Sequence, residues 1–154
     1  YSYFTGGVKV KFKLIIDNKK EEEIIITAKE RSTLIEQIES LVMEYSGQDK
    51  IPAYTEDEIT KLLINEIECI TVIDGKTYAI YKDAKHYRLK QRLFEIEKLL
   101  PSSFIRINKS SIANETKIDR FKASFSGAVD AVFKCGFTDY VSRRCFAEIK
   151  RRYK

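Results

Sequence analysis

The feature that most constrains the fold is a succession of short apolar segments, separated by polar turns, between residues 67 and 141. Short segments at this spacing predict an antiparallel, β-rich domain. The strongest turn signal is Asp74-Gly75, because glycine adopts the positive φ that a two-residue hairpin requires. The predicted strands cover residues 67–73, 76–81, 85–89, 104–107, 110–113, 117–124, 129–134 and 137–141.

Two short helices are predicted within and after these strands. Residues 91–100 carry apolar side chains at helical spacing, and Pro101 ends the pattern. The second helix begins with Ser142 as its N-cap and continues to Ile149. The domain is therefore predicted to be mostly β, with a short helix at its C-terminal end.

A smaller β-β-α unit is predicted over residues 8–50. Residues 8–16 alternate apolar and lysine side chains, and residues 22–27 form a second, Ile-rich strand after a polar turn. An amphipathic helix follows, with Thr27 and Glu30 at the spacing of a capping box. The fold class expected for the whole chain is α+β, with this unit followed by the mostly β domain at residues 58–154.

The helix of the N-terminal unit leaves two interpretations open. Its apolar face can pack on its own hairpin or bind a partner, and Gly47 lies just past its end. Because so small a unit buries little surface, it needs the rest of the chain or a second subunit, and a homodimer is one expectation. Residues 46–57 are polar, contain Pro52 and are the predicted linker. The residues of the apolar face are Leu34, Ile35, Ile38, Leu41, Val42 and Tyr45.

Charge is distributed unevenly along the chain. Residues 1–60 carry 8 basic and 12 acidic side chains, a net charge of −4, whereas residues 61–154 carry 20 and 11, a net charge of +9. A basic segment attracts polyanions through its long-range potential, so nucleic acid is the first candidate partner and an anionic membrane the second.

The sequence contains no pattern typical of an enzyme or a metal site. Cys69, Cys135 and Cys145 are widely spaced and form no CxxC or Cys/His cluster, which favours reduced thiols in a cytoplasmic protein. The single histidine, His86, lies outside any nucleophile pattern. No apolar run has the length of a membrane span. We therefore expect a cytoplasmic protein without a cofactor and without enzymatic activity.

Three stretches place cationic or amide side chains where the predicted strands turn. They cover residues 74–77, 106–114 and 142–144. Arg, Lys and Asn side chains can donate to guanine or bind adenine, whereas hydroxyl groups and helix N-termini suit phosphate oxygens. The residues alone leave two interpretations open, a DNA-reading surface and an ordinary basic surface.

The run FIRINKSSIAN at residues 104–114 resembles the most characteristic motif of LytTR DNA-binding domains, F-x-R-x-H-[RK]-S-[YF]-[IL]-V-N. Three further landmarks occur in the family's order. Residues 66–70 resemble the opening I-x-Y-I-E strand, residues 92–99 the L-x-x-L-E helix, and residues 141–144 the closing [VI]-S-R-R element. The resemblance covers residues 58–154. It implies an elongated, mostly β domain whose loops and C-terminal helix start enter successive major grooves of double-stranded DNA.

The resemblance also implies roles for individual side chains. Groove-facing roles fall on Lys76 or Thr77 in the first turn, on Lys109 in the central motif, and on Arg144. Phosphate or framework roles fall on Arg106, Ser110 and Arg143. Two residues have an alternative role: Arg106, within a strand, can pair with a carboxylate, and Asn114 can cap a turn. The candidate DNA-binding residues are Lys76, Thr77, Arg106, Asn108, Lys109, Ser110, Arg143 and Arg144.

The sequence departs from the family motif at three positions. The usual His falls at Asn108, which keeps a polar side chain and would change the preferred base. Ser111 and Cys69 stand where aromatic residues are usual, and both are interpreted as packing variations.

The N-terminal unit resembles that of a smaller group within the family. Response regulators of the family carry a phosphoacceptor receiver domain before the LytTR part, and the residues before position 58 are too few for one. In the smaller group a short β-β-α segment precedes the LytTR domain, and a separate membrane protein restrains activity. The resemblance implies a low-GC Gram-positive bacterial setting and an inhibitory membrane protein as a partner. The alternative function is a protein-binding adaptor or antiactivator that acts through the amphipathic helix.

Overall fold

The computed structural model describes residues 10–153, in which antiparallel strands form two sheets. The strands are β1 Lys50–Tyr54, β2 Ile59–Leu63, β3 Ile67–Ile73, β4 Lys76–Tyr81, β5 His86–Leu89, β6 Phe104–Asn108, β7 Ser111–Asn114, β8 Ile118–Ala123, β9 Val129–Phe133 and β10 Thr138–Val141. The helices are α1 Thr33–Tyr45, α2 Leu93–Glu97 and α3 Arg143–Arg152, and 3-10 turns cover Ile64–Glu66 and Glu115–Lys117. A seven-stranded sheet has the order β2-β1-β5-β4-β3-β7-β6, and a three-stranded sheet has the order β10-β9-β8.

The mostly β, α+β fold predicted from sequence is confirmed. Each strand predicted between residues 67 and 141 is present, as β3 to β10, with ends that shift by at most one residue. The C-terminal helix begins as predicted, since the Ser142 hydroxyl accepts the backbone N–H of Cys145 at 3.2 Å. The helix predicted over residues 91–100 is shorter than expected, because α2 ends at Glu97 and leaves Leu99 52% exposed.

The linker predicted over residues 46–57 is wrong, because β1 runs through it. Ile51 and Ala53 are 3% and 0% exposed, so every second residue of β1 lies in the core. Pro52 misled the prediction because proline usually disrupts a strand. β1 pairs with β5 only at Tyr54, so the missing N–H of Pro52 removes no hydrogen bond on that side. The paired strand β2 was not predicted at all.

The two N-terminal strands predicted over residues 8–16 and 22–27 are also not formed in the described part of the chain, and residues 8 and 9 lie outside it. The polar turn between them is present, because Lys20 donates its backbone N–H to the Asp17 carbonyl oxygen at 3.2 Å. A two-stranded hairpin alone is marginally stable in water. The apolar side chains of this segment are accordingly exposed, with Phe12 at 89%.

Helix α1 begins later than the sequence predicted. Its N-cap is Ser32, whose hydroxyl accepts the backbone N–H of Ile35 at 3.3 Å, so the capping box at Thr27 and Glu30 is wrong. The predicted end at Gly47 is correct, with a φ of 70° that glycine adopts readily. The chain divides into two compact units, with the boundary between Arg31 and Ser32. Helix α1 therefore belongs to the same unit as the two sheets.

Two apolar clusters form the core of the larger unit. The first lies on one side of the seven-stranded sheet and includes Ile67 and Ile70 from β3 together with Ile96 from α2. The second includes Cys69 from the same strand and joins the sheet to β9 and to Ile149 of α3. β3 is buried on both faces over residues 67–71, so its apolar side chains do not alternate with exposed polar ones, and even Glu68 and Thr71 are 3% and 5% exposed.

Candidate nucleic-acid interface

Two of the three basic stretches lie at the same end of the seven-stranded sheet. Antiparallel pairing sets Thr71, near the end of β3, opposite Ser111 at the start of β7. The β3–β4 turn and the β6–β7 turn therefore leave the sheet side by side, about two strand spacings or ~10 Å apart. The backbone N–H of Val72 donates to the carbonyl oxygen of Ser110 at 2.9 Å and holds the two turns in register.

Hydrogen bonds attach the third stretch to the same place. The backbone N–H of Ser142, the N-cap of α3, donates to the carbonyl oxygen of Ile107 at 2.8 Å. The side-chain amide of Asn108 donates to the carbonyl oxygen of Tyr140 at 2.8 Å. The start of α3 is thus bonded directly to the strand that precedes the β6–β7 turn.

A buried hydroxyl network lies beneath these segments. Ser111 donates its hydroxyl to the Asp139 carboxylate on β10. Its oxygen also lies 2.7 Å from the hydroxyl of Thr71 on β3. A serine hydroxyl has one hydrogen to give, so Thr71 is the donor in the second bond. Ser111 therefore connects three strands, whereas the sequence suggested only a packing variation at this position.

The eight candidate residues differ sharply in exposure. Lys76, Lys109, Arg143 and Arg144 are exposed, and Ser110 and Arg106 are half-buried. Thr77 is 6% exposed and Asn108 is 2% exposed, which corrects the sequence-based view that both present polar atoms at the surface. Alternation along β4 explains the first, since Lys76 faces solvent and the next side chain faces the core.

Asn108 uses its whole side-chain amide inside the protein. Besides the bond to Tyr140, its amide oxygen accepts the backbone N–H of Ser110 at 2.8 Å. Both bonds constrain the turn that carries Lys109. The side chain of Asn108 therefore positions the backbone on either side of that lysine.

Arg106 and Asn114 also form part of the framework. Arg106 contacts Glu97 with Nε to Oε2 at 3.0 Å and donates from Nη1 to the carbonyl oxygen of Lys109 at 2.9 Å. Asn114 donates to the carbonyl oxygen of Ile67 at 2.9 Å and, as the N-cap of the turn Glu115–Lys117, accepts the backbone N–H of Thr116 at 3.2 Å. For each residue the structure shows the alternative left open by the sequence, a strand arginine paired with a carboxylate and an asparagine that caps a turn.

The first turn of α3 concentrates positive charge. It contains Arg143 and Arg144 and no acidic residue, although helix N-termini usually favour acidic side chains. The free N–H groups at this end add to the positive potential and suit an anion such as phosphate. Two arginines at this point oppose the helix dipole, which is a cost that a bound polyanion would offset.

One cation of this surface was missed from the sequence. β4 pairs with β5 so that Thr77 is opposite Leu89, and this places Lys90 beside Lys76. Lys90 is exposed, with its Nζ 4.6 Å from the centroid of the Tyr54 ring. The strand prediction ended at Leu89, but only the register between strands shows which turn Lys90 joins. We call Lys76, Lys90, Lys109, Arg143 and Arg144 together the basic edge.

The cations of the basic edge have no ion-pair partner within the part of the chain that the structure describes, although Asp74 is exposed in the same turn as Lys76. None of its five side chains forms an ion pair there, whereas Arg106, Lys117, Arg120 and Arg152 each do. The β1–β2 turn, with exposed Glu56, Asp57 and Glu58, lies at the opposite end of the sheet, because β1 runs antiparallel to β5 and ends at Tyr54, which is paired with Arg88. This acidic turn is therefore kept away from a polyanion on the basic edge.

The cysteines have the properties of core residues. Burial, more than the nearby Asp139 and Cys135, raises the pKa of the Cys69 thiol well above its usual value. Burial, with Glu68 adding to it, also raises the pKa of the Cys135 thiol. Both thiols are therefore neutral near pH 7.

Within residues 10–153 no group of three or more His, Cys, Asp or Glu side chains is placed to hold a metal ion. In the same range no helix is both long and apolar enough to cross a bilayer.

Unpaired cations presented from turns at one edge of a β-rich domain are typical of nucleic-acid-binding domains. Residues 57–154 match the profile of the LytTr DNA-binding domain family. The chain belongs to this family, whose members are DNA-binding regulators and not enzymes. The resemblance drawn from the ordered sequence landmarks is confirmed.

Relatives from Staphylococcus aureus match nearly the whole chain. A protein of strain bovine RF122 / ET3-1 is 32% identical over 144 residues, covering 93% of this chain and 97% of that protein. A protein of strain MSSA476 is 31% identical over the same length. Both are named as uncharacterized HTH-type transcriptional regulators. Within residues 10–153, however, each α-helix is separated from the next by strands, so the chain is not built around a helix-turn-helix.

A solved structure supports the fold. The LytTr DNA-binding domain of a Bacillus cereus methyl-accepting/DNA response regulator superposes with a TM-score of 0.61 at 23% identity. The superposition covers 68% of this chain and 96% of that domain.

Proposed function

We propose that this protein regulates transcription by binding a specific sequence in double-stranded DNA through its basic edge. The observation that carries the proposal is the hydrogen bonding among its three turns. Val72 joins the first turn to the second, and Asn108 and Ser142 join the second to α3. The cations are thus presented from one connected frame, and such preorganisation is what a specific site requires.

Individual roles follow from exposure and from the backbone beside each side chain. Lys76, Lys109 and Arg144 are exposed beyond the turns and are assigned to base edges in the major groove. Arg143, at the start of α3 beside its free N–H groups, is assigned to a phosphate. Ser110 is half-buried in the β6–β7 turn and is assigned to the sugar-phosphate backbone.

The spacing of the basic edge is compatible with contacts to more than one groove. The two turns lie ~10 Å apart by strand spacing. The minor groove is about 6 Å wide. Long side chains on either side of one minor groove can therefore enter the two major grooves that flank it. On this proposal the first turn, with Lys76, enters one major groove, and the second turn, with Lys109 and the attached start of α3, enters the next.

Selection of bound duplexes from random DNA tests the proposal. The full chain should select a defined sequence, and its affinity should fall by ~10³ or more over a fourfold rise in salt if 6–10 phosphates are contacted. A variant with Lys76, Lys109 and Arg144 all changed to Gln should lose the selection. The matched control changes Lys82, Lys85 and Lys134 to Gln. These residues lie in the turns at the opposite ends of the two sheets, and this variant should still select the sequence. Weak retention that is indifferent to sequence would contradict the proposed function.

We further propose that the N-terminal segment supplies regulation and self-association. Side chains of residues 10–27 that would be apolar faces of strands are exposed, Phe12 at 89% and Ile16 at 84% among them. A second copy of the chain would cover such side chains, and a dimer would suit repeated DNA sites. The family resemblance adds an inhibitory membrane protein as a further partner. Co-purification from detergent extracts, with and without residues 1–31, tests that partner.

A protein-binding adaptor is the second candidate function. The specific observation that favours it is that α1 has no buried residue, with Leu41 66% and Tyr45 87% exposed. An apolar helix face of this kind can dock in a groove of another protein. Retention of a partner protein that is lost on Leu41→Asp, with DNA selection absent, would favour the adaptor over the regulator.

A further inference from the structure

The turn between β8 and β9 extends past the start of α3. β10 ends at Val141, immediately before the N-cap of α3, and Val141 pairs with Val129 on β9. Val129 in turn pairs with Ala123 on β8. Residues 124–128 therefore continue beyond the point at which the chain enters α3. We call these five residues the hairpin tip.

The hairpin tip is an ordered turn with an exposed aromatic ring. Ser124 donates its backbone N–H to the carbonyl oxygen of Ala128 at 2.8 Å, and its hydroxyl donates to the same oxygen at 3.1 Å. Gly127 closes the turn from its N–H to the Ser124 carbonyl oxygen at 3.1 Å, with a φ of 82°. Between them, Phe125 is 113% exposed. The ring is thus held in solvent by a hydrogen-bonded turn and forgoes the burial that normally stabilises a phenylalanine.

A contact between β8 and helix α3 links the same hairpin to the basic edge. The ring of Phe121 on β8 packs on that of Phe146 on α3, with 5.7 Å between centroids. This contact fixes the hairpin against the helix that carries Arg143 and Arg144. The position of the hairpin tip relative to these arginines is therefore fixed.

One cation of the hairpin lies close to its tip. Lys122 is exposed on β8 and forms no ion pair within the described residues, although Asp130 is opposite it on β9. Arg120 is paired with Asp119 and adds no free charge. Lys122 therefore offers a phosphate contact to a DNA duplex that passes from Lys76 along the start of α3 toward the hairpin tip.

We propose that the β8–β9 hairpin is an additional DNA-binding element, with Lys122 on a phosphate and the Phe125 ring against sugars and base edges of a minor groove. The proposal rests on the DNA-binding function above. Phenylalanine offers no hydrogen bond, so it responds to groove shape and to the ease of unstacking rather than to base identity. The hairpin would add affinity and footprint length, and only shape-dependent selectivity.

The test uses the full chain and a selected duplex. Phe125→Ala should weaken binding about tenfold, the range of an aromatic contact to a base. Lys122→Ala should reduce the slope of log affinity against log salt by about 0.9. Two matched controls should change neither quantity: Lys134→Ala, in the turn at the opposite end of the same sheet, and Phe94→Ala, whose ring is 55% exposed on α2.

Duplex length supplies the second readout. Base pairs are removed from each end of the duplex separately. Removal from one end should weaken binding of the unaltered protein about tenfold and leave Phe125→Ala unaffected, because the variant has already lost that contact. Unaltered protein that selects its duplex while Phe125→Ala and Lys122→Ala bind equally well would overturn the proposal and leave the DNA-binding function intact. Loss of self-association by Phe125→Ala, with DNA affinity unchanged, would overturn it in favour of a protein contact. Absence of any selected duplex would remove both the proposal and its foundation.

Discussion

Asn108 donates its side-chain amide to the backbone carbonyl oxygen of Tyr140 over 2.8 Å. The same amide group accepts the backbone N–H of Ser110 over 2.8 Å. One bond connects β6 to β10 and the other closes the turn that carries Lys109. At the position where the family motif has histidine, this chain therefore has a residue that holds two parts of the basic edge together.

Replacing Asn108 by Ala should lower stability and affinity without altering the preferred DNA sequence. The change leaves the Tyr140 carbonyl oxygen and the Ser110 N–H without partners, at a cost of about 1–3 kcal/mol each where they are buried. Urea unfolding measures the stability, and a repeated selection from random DNA measures the preference. Asn65→Ala, at an exposed position, is the control. A changed base preference with unchanged stability would show instead that Asn108 reads a base.

Arg144 and Lys109 should differ from Arg143 in what their loss does. Arg144→Ala or Lys109→Ala should remove discrimination between cognate and scrambled duplexes, by ~1–3 kcal/mol for a lost base contact. Arg143→Ala should weaken binding to both duplexes about equally, since phosphates carry no sequence. Parallel titrations of the three variants measure this. Identical behaviour would mean that the division into base and phosphate contacts is wrong.

The strands of the β-rich domain were predictable because their patterns are local. Asp74 and Gly75 adopt the positive φ angles, 52° and 75°, that the predicted hairpin turn requires. Ser142 caps α3 because a serine before a helix bonds its first turn whatever the surroundings. β1 was missed because Pro52 outweighed the alternating pattern of Ile51 and Ala53.

The site was predictable in its exposed cations but not in its connections. Lys109 and Arg144 follow from the motif positions alone. The burial of Thr77 and Asn108 depends on which face of a strand meets the core, and the place of Lys90 depends on the register of β4 and β5. These are long-range properties, and a one-residue change of register would reverse each of them.

Ser111 and Thr71 should not contribute independently to stability, because their hydroxyl groups share a buried hydrogen bond. Ser111→Ala leaves the buried Thr71 hydroxyl and the Asp139 carboxylate with one partner fewer, at about 1–3 kcal/mol. Ser111→Ala with Thr71→Val removes donor and acceptor together, and the pair should destabilise by less than the sum of the single changes. A double-mutant cycle in urea measures the coupling. Additive costs would contradict the shared network.

Asp83 in the β4–β5 turn should make the free energy of unfolding depend on pH in the acidic range. Burial alone would raise the pKa of Asp83, but hydrogen bonds from the Lys85 N–H and the Tyr87 hydroxyl together lower the pKa below its usual value. A lowered pKa in the folded state gives stability that is present above the ordinary value near ~3.9 and is lost as pH falls through the folded value. The stability difference between the protein and Asp83→Asn should therefore shrink below about pH 3.9. Unfolding followed from pH 6 downward measures it, and a difference that stays constant would contradict the assignment. The turn lies at the end of the sheet opposite the basic edge, so DNA affinity near pH 7 should be unchanged.

Phe12 should contribute to self-association if the N-terminal segment joins two copies. Its ring is 89% exposed, and burial against a second copy would stabilise the dimer by roughly 1.5–3 kcal/mol. Phe12→Asp would place a charge in that contact and should raise the concentration at which sedimentation shows dimers by at least tenfold, since ~1.4 kcal/mol is a factor of ten. Phe94→Asp, on α2 in the other unit, should leave self-association unchanged. The affinity for a duplex with two repeats should fall with Phe12→Asp, whereas the affinity for a single repeat should not, because the basic edge itself is intact. The dimer would be ruled out if the unaltered protein stays monomeric well above micromolar concentration, with and without DNA. Phe12→Asp should then have the same effect on duplexes with one repeat and with two.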